Sequence, residues 1–165
     1  MHQGRTDSTR SLAKFAPWSA RSPEQREQIA REIVGAVLDF PELLDLPEMI
    51  EAMPLFDGDL AVAIAALRQM PTSAPQQIPE QVLAKLPVAI HPFALARLAA
   101  PGHASLEDAK TVLFGNVRIL RGLELQRQDV EAREEGERAA RAGDFDRELE
   151  LLRVVQLSAR ERRGL

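Results

Sequence analysis

The sequence predicts an all-α protein: a small helical bundle, followed by a long helix and a C-terminal helical hairpin. Three observations carry this prediction. Apolar residues recur at helical spacing in several stretches, and nothing alternates with period two for long enough to demand a strand. Aromatic residues are scarce, with six Phe, one Trp and no Tyr, so the core must be aliphatic, which suits helix-on-helix packing more than a sandwich. A run of prolines cuts the middle of the chain into brief elements, as short connections in a helical bundle require. The expected organisation is a leader or linker over 1–21, a bundle over 22–122 and a helical hairpin over 123–165.

Residues 1–21 are polar, basic and aperiodic, apart from Trp18. Ser22-Pro23-Glu24-Gln25 reads as a helix start, with Ser as the cap, Pro at N1, and Gln25 placed to bond back to the cap backbone. Ile29, Ile33, Val34, Val37 and Leu38 then recur on one buried face. Phe40-Pro41 ends that helix, because the residue before proline is pushed out of the α region. Pro47 to Met53, Asp59 to Met70, Ile78 to Leu86 and Phe93 to Ala99 read as short helices, with Pro71 to Pro79 as the clearest loop.

Ser105-Leu106-Glu107-Asp108 opens the long helix. Its first part carries Val112, Leu113, Val117, Leu120, Leu123 and Leu125 and is expected to pack on the bundle. Its second part carries the i,i+4 pairs Asp129–Arg133, Glu134–Arg138 and Glu137–Arg141, and few large apolar residues, Val130 being the main one. Ala142-Gly143-Asp144 supplies a C′ glycine and a following cap, so the chain turns back. On the last helix Phe145, Leu149 and Leu152 lie within about 60° of each other, Leu151 and Val155 widen that arc, and Val154 and Leu157 lie outside it. In an antiparallel hairpin this helix is expected to face Val130, Arg133, Glu137 and Ala140, which offer little apolar cover. The surplus either folds back onto the bundle as ordinary core or is left for a partner helix or self-association.

Composition removes several function classes. The net charge of −4 argues against strong direct nucleic-acid binding, which needs a concentrated basic surface. The two basic clusters, Arg5, Arg10, Lys14 and Arg21 in the leader and Arg160, Arg162 and Arg163 at the end, read as solvated tails or helix-dipole complements. With no cysteine, disulfides and thiolate metal sites are excluded, in keeping with a reducing cytoplasm. No apolar run approaches the ~20 residues that span a bilayer, and no signal-peptide core precedes the domain. The expected localisation is cytoplasmic, with no membrane contact.

The element order also resembles a known family. The resemblance rests on the apolar helix ending in Phe40-Pro41-Glu42-Leu43, on Leu55-Phe56 opening a further helix, and on Leu123-Glu124-Leu125 followed by Arg133-Glu134 before the hairpin. Over about residues 23 to 163 this resembles the C-terminal helicase-binding domain of bacterial DNA primase, the DnaG type. The resemblance implies a bundle joined by a long helix to a terminal hairpin. It implies docking on the N-terminal domains of the hexameric replicative helicase (DnaB type) during replication priming, which would place Val130, Arg133, Phe145, Leu149, Leu152, Val154 and Leu157 in the docking region. The zinc-binding cysteines and the toprim polymerase core of a complete primase have no counterpart in this sequence. The expectation is therefore a fragment of such a primase or a freestanding docking module. A helical self-association or scaffold domain is the alternative.

Catalytic features are decoys on this reading. Asp57-Gly58-Asp59-Leu60-Ala61 looks like the metal-binding acids of a toprim domain. That motif needs a buried strand before it, and Pro54 leaves only Leu55-Phe56. It also needs an upstream Glu-Gly, whereas Glu135-Gly136 comes later. Asp57 reads instead as a turn or cap residue. His91 and His103 share no ligand spacing with a carboxylate or with each other. No catalytic residue, cofactor site or metal site is expected.

Overall fold

The structure is a computed structural model that describes residues 23–70 and 79–164. The leader, Trp18, the Ser22 cap and the loop over 71–78 lie outside the described residues. Among the described residues there are seven α-helices and no strand: α1 (Pro23–Asp39), α2 (Pro47–Ala52), α3 (Gly58–Arg68), α4 (Pro79–Leu83), α5 (His91–Ala99), α6 (Leu106–Ala142) and α7 (Phe145–Gly164).

The bundle is built around α1. Its Ile33, Val34 and Val37 are fully buried against Leu43, Met49, Ile64 and Val82, and α6 closes the core with Ala109, Leu113 and Leu120. The core is aliphatic throughout except for Phe56. Three 3-10 turns, Pro41–Asp45, Met53–Leu55 and Val88–Ile90, join the short helices. The sequence reading starts helices at Pro23 and Pro47 and treats the other prolines as dividers; the turns extend the starting role to more of them. Pro41, Pro47, Pro54 and Pro92 each sit in the first two positions of an element. Proline is preset for that place and the missing N–H costs nothing there. This is why α5 begins at His91, ahead of the expected Phe93. At the other end of α4, Lys85 and Leu86 close with tight bonds to Val82 and Leu83, so that helix stops short of Leu86.

A buried polar cluster fastens α5 and the start of α6 to α1. The Asp39 side chain is 1% exposed. Its Oδ2 accepts from the backbone N–H groups of Gly102 and His103, at 2.9 and 3.1 Å, and lies 2.8 Å from His103 Nδ1. The Arg97 guanidinium stands 3.2 Å from the same oxygen. His103 thus meets a carboxylate after all, one 64 residues away in the chain. These donors all meet Oδ2 and offset the burial of the charge, the buried Oδ1 having no hydrogen-bond partner among the described residues, and the cluster acts as a clasp.

α6 is 37 residues long, about 55 Å at 1.5 Å per residue. It runs without a break across the expected bundle–hairpin border at 122/123. Ser105 caps it by accepting from Asp108 N at 3.2 Å. Gly143, at φ 76°, ends it: its N–H bonds Ala140 O and the Asp144 N–H bonds Ala139 O. The left-handed turn needed there strains any residue with a Cβ. Asp144 Oδ1 then accepts from Arg147 N at 3.1 Å and opens α7.

Candidate partner-docking surface

The second half of α6 and the whole of α7 form the antiparallel hairpin. α6 offers α7 a narrow, shallow strip: Leu125, Asp129, Ala132, Gly136 and Ala139. α7 answers with Leu151 and Ser158, both buried, and with half-buried Val155 and Arg162 on the same face. The small side chains let the helices approach closely. An ideal Cβ on Gly136 would lie 3.8 Å from the Leu151 Cβ.

This seam corrects the sequence expectation. Val130, Arg133, Glu137 and Ala140 do not face α7; all four are exposed. The contact strip lies about one residue, or 100°, around α6 from the predicted one. On α7 the buried face is centred on Leu151, Val155 and Ser158, and Phe145, Leu149 and Leu152 turn outward. The reason is steric and electrostatic together. Ala132, Gly136 and Ala139 make the shallowest groove on α6. Asp129, 8% exposed in its side chain, can be buried only because Arg162 reaches it from α7 at 2.9 Å and Arg133 from its own helix at 3.1 Å. Arg162, read in the sequence as part of a solvated tail, is therefore a seam residue.

Ion pairs flank the seam. Arg147 donates to Glu135 at 2.7 Å and to Glu150 at 3.0 Å near the tip. Arg121 joins Glu161 of α7 at 2.7 Å and Glu51 of α2 at 3.2 Å, tying hairpin to bundle. Glu124 accepts from Arg127 and Gln128. The bonds from Arg127, helped by Gln128, hold its carboxyl below the ordinary glutamate range against the opposing effect of burial. Arg138 departs from its expected pair and donates to the Glu134 backbone carbonyl instead.

The apolar residues singled out in the sequence, Val130, Phe145, Leu149, Leu152, Val154 and Leu157, are between 41% and 69% exposed. They do not form one patch. A groove at the foot of the hairpin is lined by Ile119 and Gln126 of α6 and by Ala159 and Arg163 of α7. Continuing those two rows toward the tip at helical spacing brings Val130 and Arg133 alongside Leu152, Leu149 and Phe145 on the same flank. Leu157 sits on the outer crest of α7. Val154 lies about 180° from Phe145, on the opposite flank. The groove residues Arg118, Ile119 and Gly122 were not singled out in the sequence, where they fall within the expected bundle range.

Asp57 and His91, weighed for catalysis, have local partners. Asp57 occupies the N-cap position of α3 without a side-chain cap bond. Its carboxylate pairs with Arg26, which also donates to Leu55 O at 2.7 Å. His91 Nε2 lies 3.0 Å from Leu86 O. No group of three or more His, Asp or Glu side chains is placed to hold a metal among the described residues, and no described helix is long and apolar enough to cross a membrane. In comparisons with known proteins, no family model, curated protein or solved structure matches the chain.

Proposed function

We propose that the chain is a protein-docking module whose C-terminal hairpin engages a partner. Following the resemblance in Phe40-Pro41-Glu42-Leu43 and in the approach to the hairpin, we propose that the partner is the N-terminal domains of a hexameric replicative helicase and that the setting is replication priming. One observation supports docking above all. A hairpin with its own seam complete still holds Val130, Phe145, Leu149 and Leu152 in water on one flank. A large apolar side chain so placed forgoes part of the roughly 1.5–3 kcal/mol that full burial gives, and clustered exposure of this kind marks interaction surfaces. No catalytic role is assigned to this chain.

Calorimetric titration of the folded chain with the helicase N-terminal domain tests the reading. Binding with a Kd on the order of 10 μM or tighter is expected, and Leu149→Asp with Leu152→Asp should abolish it. A folded sample that gives no heat across that range sinks the helicase assignment. The same exposed flank also suits self-association. Sedimentation at rising concentration separates the two, since a concentration-independent monomer leaves only the foreign partner.

A further inference from the structure

We propose that the foot of the hairpin is a docking groove for an acidic amphipathic helix of a partner protein. This deepens the docking reading by stating the partner's chemistry, and it does not require the partner to be a helicase. The groove lies between α6 and α7 where the hairpin leaves the bundle. It encloses about 740 Å³ between Arg118, Ile119 and Gly122 on one side and Ala159, Arg162 and Arg163 on the other. A more open trough of about 580 Å³ shares Ala159 and Arg163 and extends over Arg153, Leu157 and Arg160. Two antiparallel helices with an open furrow between them present the seat that a third helix fills.

Charge selects the occupant. Arg118, Arg153, Arg160 and Arg163 are exposed and have no acidic partner among the described residues. Three acids of the hairpin are already engaged, Asp129 by Arg133 and Arg162, Glu161 by Arg121 and Glu150 by Arg147. Arg118 and Arg163 thus flank an apolar floor of Ile119, Gly122 and Ala159, and Arg153 and Arg160 stand over the adjoining trough on the outer face of α7. Each guanidinium is a fork suited to a carboxylate. An amphipathic helix with Leu-type residues on one stripe and Asp or Glu on its margins satisfies both features at once.

Other occupants fit less well. The chain's own leader carries Arg5, Arg10, Lys14 and Arg21 against Asp7 and would be repelled. A second copy offers the stretch from Glu32 to Asp59, which has no Lys or Arg. There, however, Asp39 is buried, Glu51 and Asp57 are paired, and Glu42, Asp45 and Glu48 sit on a five-residue turn and a six-residue helix. Those elements are too short to run the length of groove and trough. No aromatic side chain lines the groove to stack a nucleic-acid base.

The test is selection of a displayed library of peptides, about 16 residues long and thus about 24 Å as helices, on the folded chain. Enriched sequences are expected to carry Asp and Glu beside apolar residues at i, i+3 or i+4 and i+7. Their affinity should fall at least about tenfold in Arg118→Glu with Arg163→Glu, and stay unchanged in Val62→Asp, at an exposed position of α3 in the bundle. Thermal melts check folding, and Arg118→Gln with Arg163→Gln replaces the reversal pair if that pair does not fold. The proposal is overturned by failure to enrich, by enrichment of neutral or basic sequences, or by indifference to the arginine changes. It is also overturned if a single-stranded oligodeoxynucleotide binds more tightly than the best peptide, or if a dimer forms that Arg163→Glu dissolves. Helicase binding without peptide binding removes the groove and leaves the docking reading. Peptide binding without helicase binding does the reverse.

Discussion

From Ala109 to Leu120, α6 buries Leu113 and Leu120 completely among the side chains of the bundle, whereas from Leu125 to Ala139 the same helix offers α7 one leucine, two alanines, a glycine and an aspartate. The first half is held by apolar volume. The second is held by a thin seam, a buried ion pair and surface pairs whose individual contributions are small. The contrast teaches where each half spends its large side chains. The bundle turns most of them inward, with Ile50, Val62, Val88, Leu95 and Phe114 left exposed as scattered exceptions. The hairpin seats only Leu125, Leu151 and Val155 in its seam, keeps most of its large residues outward and uses small ones to bring its helices together, so it is the part expected to open first.

The largest effect should come from the bundle side. Leu113→Ala removes a fully buried side chain from a packed aliphatic core and should cost about 2–5 kcal/mol. The loss would appear in thermal or urea unfolding of the whole chain. Asp129→Ala on the hairpin side should cost less, about 1–2 kcal/mol. Arg162 keeps 31% of its side chain in solvent and can rehydrate. Amide exchange should then quicken across 145–164 while the slowest bundle amides hold. Uniform quickening would show that bundle and hairpin unfold as one unit, and the comparison would fail.

Next in size is a gain. Gly136→Ala places a methyl at ordinary contact distance from Leu151 and removes a glycine from a helix interior, which should stabilise the hairpin by about 0.8–1 kcal/mol. Destabilisation would mean that α7 lies closer to α6 than the structure places it. Leu157→Asp, on the outer crest, should change stability by no more than about 0.5 kcal/mol while weakening partner binding. Parallel losses of stability and binding would instead make Leu157 a core residue.

The sequence made the long helix and its ends legible because their causes are local. Ser105 caps within three residues, Gly143 turns within two, and the apolar spacing of α1 and α6 falls inside single helices. The facing of the hairpin was not legible, because two things decide it at a distance. One is the Ala132, Gly136, Ala139 ridge, visible in the sequence but outweighed there by the larger Val130. The other is the Asp129–Arg162 pair, whose members stand 33 residues apart. The Asp39–His103 clasp hides for the same reason. Spacing in the chain reports which residues share a helix face, and says nothing about which acid another helix will neutralise.

The smallest effect probes the junction between the two halves of α6. Glu124 sits there, accepting from Arg127 at 2.6 and 3.1 Å and from Gln128 at 3.0 Å, with Arg26 of α1 at 4.0 Å. The Arg127 bonds depress its pKa in the folded state. A depressed carboxyl contributes stability that is fully present above the unfolded value, about 4.3 for glutamate, and is lost as pH falls through the folded one. Glu124→Gln keeps the shape and removes the charge. The variant should therefore melt slightly lower than the native chain at neutral pH, by a few tenths of a kcal/mol. The gap should close as pH drops below about 4.3. A gap that persists in acid would assign the loss to packing at the junction, and the two halves of α6 would then be coupled through shape.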